Sequence, residues 1–346
     1  MATLPSSTAA IFSLREDYCA MTNRSLLLIS RDLTNVSMET EQYTDFPCIL
    51  AIFSCFTLSV IYVTSLYIWN SPFDRDHAST IKKRFLSAFI MMFVSPLFLY
   101  FGINRTILQK VNFKNSLTNT FDLTKLKFQA TIWELLGVRW VGLIQATVMP
   151  LLLTMVLFLG PLSVQASSGL WRLYAEPMYW VGNMKSLGWW RNQIVAPLSE
   201  EWTFRACMLP LLLQCYKPST AIFICPLFFG VAHFHHVIEM TRSGAKFKDA
   251  FMLCSFQFVY TTLFGAYAAF LFAKTGHYIA PFAAHAFCNH MGFPDLSEVI
   301  ACKNPLKRTI LFCLFFAGVI GWCLLLTPMT NPTLFSNKLF WHNYYF

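Results

Sequence analysis

FMLCSFQFVYTTLFGAYAAFLFA, residues 251–273, is an apolar run of 23 positions without a charged side chain. A helix needs about 20 such residues to cross the hydrocarbon core of a bilayer, so this stretch predicts a membrane-spanning helix. Strands are not expected, because a membrane barrel needs alternating segments of about ten residues and this run is apolar throughout. Four further windows have the same character: 46–69, 85–103, 138–162 and 309–326.

Three shorter apolar stretches lie between these windows, at 203–216, 220–234 and 278–292. They are too short or too polar to face lipid, so we expect them to pack inside the bundle, shielded by the long outer helices. The sequence therefore predicts an all-α, polytopic integral membrane bundle of about eight helices with a buried polar site.

The composition agrees with a protein that is solvated by membrane lipids. Hydrophobic residues make up 56% of the 346 positions and charged residues only 12%, about half the share that is typical of a soluble domain. The net charge of +9 comes from Lys and Arg in short connectors, which indicates contact with lipid headgroups and no nucleic-acid partner. The 11 cysteines are scattered without a CxxC pair, so neither a zinc cluster nor a disulfide framework is expected.

The distribution of charge divides the chain into three predicted regions. Residues 1–45 form a polar leader, residues 46–327 the membrane-embedded domain, and residues 328–346 a C-terminal tail. The connector 70–84 is basic, which predicts that it faces the cytosol and that the leader is lumenal. The connector 104–134 is basic too. Both cannot obey the positive-inside rule unless one segment is re-entrant or the later connector tolerates its charge, so the full topology stays open.

Ionisable side chains inside apolar segments cost several kcal/mol each, so by default they are functional or paired. The first cluster is SEEWTFR at 199–205, and Pro197 predicts that a short helix begins just before it. Glu201 and Arg205 lie four residues apart on one helical face and predict an ion pair. Successive residues of an α-helix are rotated by about 100°, so Glu200 points away from the face that Glu201 and Arg205 share and does not have Arg205 as a partner.

Two further clusters carry histidines within apolar segments. Phe229 and His233 share a helical face, so the phenyl ring would limit hydration of the imidazole and keep it neutral and able to accept a proton. His285 and Asn289 also lie four apart and offer hydrogen-bond donors side by side. The two histidines that follow His233 are interpreted as boundary residues.

Together these groups supply the parts of a hydrolytic site. Glu200 could take a proton from a water molecule that His233 orients, and the hydroxide would attack an amide carbonyl. His285 and Asn289 would donate hydrogen bonds to the oxyanion, where removing one donor typically lowers the rate about 100-fold to 1000-fold. Four such groups on separate apolar segments are too costly a set to retain for packing alone.

The order and spacing of three motifs resemble those of the CAAX endopeptidases, the glutamate intramembrane proteases of the CPBP group. The motifs are Glu200-Glu201-x-x-x-Arg205, Phe229-x-x-x-His233 and His285-x-x-x-Asn289. The region 256–294 looks especially like the type II branch, the Ras-converting CAAX proteases. The resemblance covers residues 196–294 strongly and the earlier helices only in hydropathy.

The resemblance implies a function that composition cannot supply. Family members remove the last three residues of proteins that are farnesylated or geranylgeranylated on the CAAX cysteine, such as Ras-like and Rho-like GTPases. They do so in the endoplasmic reticulum membrane, with the site open to the cytosol. The resemblance implies the catalytic roles given above for the four polar residues and supporting roles for Glu201, Arg205 and Phe229. No metal or other cofactor is expected.

The residues alone, without the family resemblance, leave other functions open. Zinc held by Glu200, His233 and His285 would activate the same water, although no HExxH motif is present. A cysteine nucleophile, Cys207 or Cys288, would have to ionise inside an apolar helix, which is unfavourable. The same polar groups could relay protons in a proton-coupled transporter, although no repeat of broken helices is found. A non-catalytic scaffold would not need all four polar residues, Glu200, His233, His285 and Asn289.

Overall fold

The apolar windows fold as helices because a lipid-facing backbone can satisfy its own N–H and C=O groups only within a helix or a closed barrel. The computed structural model describes residues 45–69, 71–103 and 130–340, and these contain helices but no strand. The α-helices are α1 Asp45–Ser65, α2 Ala78–Gly102, α3 Ile132–Leu135, α4 Leu143–Leu157, α5 Leu159–Ser168, α6 Leu170–Tyr174, α7 Pro177–Met184, α8 Leu187–Trp190, α9 Ala196–Glu201, α10 Leu209–Leu213, α11 Pro218–Ala232, α12 His235–Arg242, α13 Phe247–Thr275, α14 Ile279–Met291, α15 Ser297–Ile300 and α16 Pro305–Met329. Two π-helical segments, Arg191–Val195 and Trp202–Met208, and a 3-10 helix, Pro332–Phe335, complete the set.

Five candidate spans in the described part of the chain are long and apolar enough to cross a membrane. They are formed by α1, α2, α11 with α12, α13 and α16, and α4 with α5 would be a sixth. The predicted polytopic helical bundle is therefore confirmed. The predicted number of about eight membrane helices is not, because the helices around the first and third motifs are too short to count as spans.

The window predicted at 138–162 is not one straight helix. It bends by 73° between α4 and α5, at Phe158. Pro161, in the first turn of α5, has no N–H to donate to the carbonyl four residues back, so the hydrogen bonds of α4 cannot continue. Gly160 allows close contact with α16, since a Cβ atom there would lie 2.3 Å from the ring of Phe315.

The stretch predicted at 220–234 as a shielded inner helix is longer and more exposed than expected. α11 is followed by a turn and then by α12, and the candidate span covers Pro218–Arg242. Phe223 and Val231 are 69% and 57% exposed, which places one side of α11 against lipid. The prediction of complete shielding is wrong for this helix.

The segment that carries the first motif lies inside the bundle, as predicted for 203–216. Every residue from 202 to 212 is buried, and α2, α11 and α13 contact this segment. In contrast, large apolar side chains of the outer helices are exposed, among them Phe53, Phe93 and Leu324. Exposed apolar surface of this extent is suited to lipid.

A disulfide joins Cys48 on α1 to Cys215 after α10. The expectation that no disulfide framework exists is wrong for this pair. The two positions are 167 residues apart in sequence, so no spacing pattern could have paired them.

The two ends of the chain were predicted as a leader and a tail. The leader, residues 1–45, lies outside the described residues except for Asp45, as does most of the basic connector 104–134. The tail contacts the bundle: Phe335 is fully buried, and Asn337 donates to the carbonyl oxygen of Ala273 at 2.9 Å.

Candidate active site

The two glutamates of the first motif lie on α9, between the π-helical segments Arg191–Val195 and Trp202–Met208. The prediction that a helix begins at Pro197 is wrong, because the helical segments run continuously through it. Proline has no N–H to donate, and the preceding residue, Ala196, donates to the carbonyl five residues back. π-helical segments inside α-helices frequently occur at functional sites.

Glu201 and Arg205 form the predicted ion pair. Arg205 Nη1 lies 3.0 Å from Glu201 Oε1, and both side chains are fully buried. The guanidinium also lies over the ring of Phe229, with Cζ 4.4 Å from the ring centroid, a favourable cation–π contact. Gly265 on α13 leaves room for it, since a Cβ atom there would come within 2.8 Å of Arg205 Nη2.

His285 on α14 lies between the two glutamates. Its Nδ1 is 2.7 Å from Glu201 Oε1, and its Nε2 is 3.8 Å from Glu200 Oε2. Paired with Arg205, the Glu201 carboxylate acts as an acceptor, so this contact assigns a proton to Nδ1 of His285 and directs Nε2 towards Glu200. When His285 is protonated on both nitrogens, the two glutamates, Arg205 and His285 form a cluster with no net charge.

His233 follows α11 and is held by a main-chain contact. Its Nδ1 lies 2.8 Å from the carbonyl oxygen of Phe229. A carbonyl only accepts, so this contact assigns the proton to Nδ1 and leaves a lone pair on Nε2. The ring of Phe229 meets the imidazole edge-on at a centroid distance of 4.7 Å, which confirms the predicted contact between them. His233 thus offers a hydrogen-bond acceptor.

One cavity brings the first two motifs together. Glu200 and His233 both line it, and its volume is about 170 Å³. His285 does not line the cavity, but it approaches Glu200 to 3.8 Å. Of the four polar residues singled out from the sequence, two therefore line one cavity and a third, His285, approaches one of them.

Asn289 is placed differently from the other three. It lies one turn after His285 on α14, is exposed and donates from Nδ2 to the main-chain oxygen of Asn192 at 2.9 Å. Asn192 lines the cavity, whereas Asn289 does not. A direct contact between Asn289 and an oxyanion would require this hydrogen bond to break, so its role stays a prediction.

Several cavity residues were not singled out from the sequence. Tyr62 lines the cavity, and its hydroxyl oxygen is 2.9 Å from Ser199 Oγ. A polar group in the apolar window 46–69 is the signal that could have drawn attention to it. Arg75, Arg84 and Arg191 line the cavity as well. The fold brings Arg191 next to two arginines of the connector 70–84, which the sequence marked only as a basic loop.

The described residues bring one set of potential metal ligands together, His235, His236 and Glu239. This set differs from the one that the zinc alternative requires. The carboxylate of Glu239 already accepts from Arg84 at 2.6 Å and from the Tyr67 hydroxyl at 2.7 Å, and it contacts His236 Nδ1 at 2.8 Å. These contacts tie α12 to α2 and to the end of α1. His235 and His236, interpreted as boundary residues, also line the cavity.

Comparison with known proteins agrees with this geometry. A family profile described as type II CAAX prenyl endopeptidase Rce1-like matches residues 182–291, which include all three motifs. The chain is 41% identical to CAAX prenyl protease 2 of Homo sapiens over 298 residues, 84% of each chain. The chain belongs to the type II CAAX prenyl endopeptidase family.

Other relatives of this CAAX endopeptidase extend the comparison. It is 37% identical to CAAX prenyl protease 2 of Rattus norvegicus, over 84% of this chain and 83% of the relative. It is 32% identical to CAAX prenyl protease 2 of Arabidopsis thaliana, over 84% and 92%. No solved structure matches the chain. Family membership confirms the predicted enzyme class, a membrane-embedded endopeptidase and hence a hydrolase, over a proton-coupled transporter.

Proposed function

We propose that this CAAX endopeptidase hydrolyses the peptide bond after a prenylated cysteine and releases the last three residues of its substrate. The substrates are farnesylated or geranylgeranylated CAAX proteins such as Ras-like and Rho-like GTPases. The observation that carries the proposal is the meeting of Glu200 and His233 in one cavity, with His285 3.8 Å from Glu200. A carboxylate beside a neutral imidazole acceptor can activate a water molecule.

The proposed reaction begins with a water molecule between Glu200 and His233. The Glu200 carboxylate takes one proton, and the remaining O–H donates to Nε2 of His233. The water oxygen attacks the scissile carbonyl carbon, and the carbonyl electron pair moves to oxygen as an oxyanion. His285, protonated on both nitrogens, donates to that oxyanion through Nε2–H, joined by Asn289 once it leaves the carbonyl of Asn192.

The tetrahedral intermediate then collapses. The C–N bond breaks, and Glu200 returns its proton to the leaving amine, which completes the cycle. The products are an intact tripeptide and a new carboxylic acid on the prenylated cysteine, whose proton passes to the amino group of the tripeptide to leave a carboxylate. Glu201 and Arg205 act through His285, because Glu201 holds Nδ1 at 2.7 Å and so keeps Nε2 directed at the reaction.

A second, apolar cavity supports a lipid-modified substrate. It has a volume of about 370 Å³ and lies between α2 and the helix that carries Glu200. The two cavities share four lining residues: Phe85, Ala88, Val195 and Ser199. Leu86 and Phe89 also line it and are 46% and 60% exposed on the outer side of α2. A prenyl chain could enter here from lipid while the peptide reaches Glu200 from water.

The cavity opens towards the predicted cytosolic side of the membrane. Arg75 and Arg84 line it, and both belong to the basic connector 70–84 that the positive-inside rule assigns to the cytosol. The endoplasmic reticulum is proposed from the family resemblance. A test is Asp74→Cys in sealed microsomes: a membrane-impermeant maleimide should label it above the background of the unsubstituted protein. Labelling only after the vesicles are opened would contradict a cytosolic mouth.

The activity itself is tested with detergent-purified protein and a farnesylated CAAX peptide. The wild type should release an intact tripeptide with or without a chelator, and Glu200→Ala should release none above background. Glu298→Gln is the matched control, because this exposed acid does not line the cavity. Wild-type turnover by Glu200→Ala would refute the role of this carboxylate. Loss of activity on chelation, restored by zinc, would instead establish the zinc alternative.

A further inference from the structure

Three arginines line the cavity, Arg75, Arg84 and Arg191, and we call the part that they line its mouth. Two acids contact them. Asp76 Oδ1 lies 2.7 Å from Arg191 Nη1 and 3.6 Å from Arg75 Nε, and Glu239 Oε1 lies 2.6 Å from Arg84 Nη2. Three cations against the two carboxylates that contact them leave an excess of one positive charge at the mouth. A single anionic group is the complementary ligand.

The helix that carries Glu200 connects this mouth to the reacting end of the cavity. One face of it lines the cavity through Arg191, Asn192, Val195, Ala196, Ser199 and Glu200. Arg191 precedes Glu200 by nine residues, which corresponds to at most roughly 13 Å along the axis, because 1.5 Å per residue holds for the α-helical part and the π-helical segment Arg191–Val195 is shorter per residue. Three extended residues span about 10 Å. A substrate whose scissile carbonyl lies beside Glu200 would therefore bring its terminal carboxylate within reach of the Arg191 side chain.

Guanidinium groups are suited to this task, because they donate two parallel hydrogen bonds to a carboxylate. Arg191 is largely covered, with 18% of its side chain exposed. Its Nη1 donates to Asp76 Oδ1 and to the carbonyl oxygen of Arg75, and its Nε donates to Asn192 Oδ1, so Nη2 is the nitrogen that offers its donors to a ligand. Arg84 Nε is buried and has no hydrogen-bond partner among the described residues. The two acids at the mouth therefore do not accept from every N–H group of the three arginines, and the remaining N–H groups can donate to a ligand.

We propose that this arginine cluster, with Arg191 as the principal contact, binds the free α-carboxylate of the last residue of the substrate. The inference rests on the proposed endopeptidase function and adds to it a physical reason for the length of the released peptide. The distance between the arginine cluster and Glu200 selects the bond that lies three residues from the C-terminus.

The test compares two farnesylated peptides that differ only in a C-terminal carboxylate or carboxamide. The wild type should prefer the acid by about 10-fold to 100-fold in kcat/KM, mostly through KM. Arg191→Gln should lower kcat/KM much more for the acid than for the amide, so that the preference for the acid is lost. Arg191→Lys, which keeps the charge, should retain part of the preference. Lys82→Gln is the matched control, because it removes an exposed charge of the same connector and should preserve the preference.

The outcomes separate this inference from the function on which it rests. Equal cleavage of acid and amide by the wild type would overturn the carboxylate site and leave the endopeptidase function intact. An equal loss on both peptides in Arg191→Gln would show a structural role and would also overturn it. Cleavage of neither peptide by the wild type would refute the proposed function and this inference together.

Discussion

The carboxylate of Glu201 serves two partners, and removing its charge tests stability and catalysis separately. In Glu201→Gln, Arg205 would keep a fully buried guanidinium without its counter-ion. Breaking a buried ion pair by removing one partner costs about 3–5 kcal/mol. We expect the free energy of unfolding to fall by that amount, measured as a lower midpoint of thermal unfolding in detergent micelles.

The same substitution also affects His285, because Nδ1 of the imidazole loses a charged acceptor at 2.7 Å. The ring also loses the contact that directs Nε2 towards the reacting carbonyl. At metal sites, removing the partner that orients a histidine lowers activity about 10-fold to 100-fold, and we expect a decrease of that order in kcat for tripeptide release.

The double variant Glu201→Gln/Arg205→Met separates the two effects. It removes both charges, and replacing a buried pair by neutral groups of similar volume is often neutral or stabilising. The unfolding midpoint should therefore recover towards that of the wild type, while kcat stays low. A midpoint that does not recover would refute the electrostatic explanation of the loss. Recovery of kcat together with stability would refute the positioning of His285 by Glu201.

Three further perturbations follow from contacts described above. Gly265→Ala should lower the free energy of unfolding by about 1–3 kcal/mol, because its Cβ would lie 2.8 Å from the buried guanidinium of Arg205. Gly182→Ala is the control, because there is open space around Gly182. Equal unfolding midpoints of the two variants would contradict the contact. Cys207→Ala and Cys288→Ala should each release the tripeptide at the wild-type rate. Loss of release in a variant that folds normally would support a cysteine nucleophile. Ala88→Leu should narrow the junction of the two cavities and lower kcat/KM for a farnesylated peptide about 10-fold or more, whereas an unchanged value would place the prenyl chain elsewhere.

Contacts within one helix were the part of the site that the sequence predicted well. The spacing of Glu201 and Arg205 predicted their ion pair, and that of Phe229 and His233 predicted the contact between their rings. Both depend mainly on local geometry. The position of His285 between two glutamates is a tertiary arrangement. Sequence reasoning could expect convergence there but could not say which nitrogen meets which carboxylate.

Helical spacing was a poor guide where the environment changes along a helix. Asn289 shares a face with His285, yet the first is exposed and the second buried, because equal orientation does not imply equal depth. Pro197 predicted a helix start and lies within a continuous helical run instead, since the adjoining π-helical hydrogen bonds tolerate the missing donor. Arg191 lies outside every apolar window, so nothing in the sequence distinguishes it from an ordinary boundary residue.

The π-helical segment Trp202–Met208 accommodates an extra residue without turning the site away from its partners. A π turn contains about one residue more than the α turn it replaces. If the deletion of one residue there restores α-helical winding, the number of turns stays the same, and Glu200 and Glu201 keep their orientation relative to α10. The same deletion within α10, which holds no extra residue, would rotate both carboxylates by about 100° relative to the residues that follow. The π-helical segment is therefore the part of this helical run in which the loss of one codon disturbs the charge cluster least.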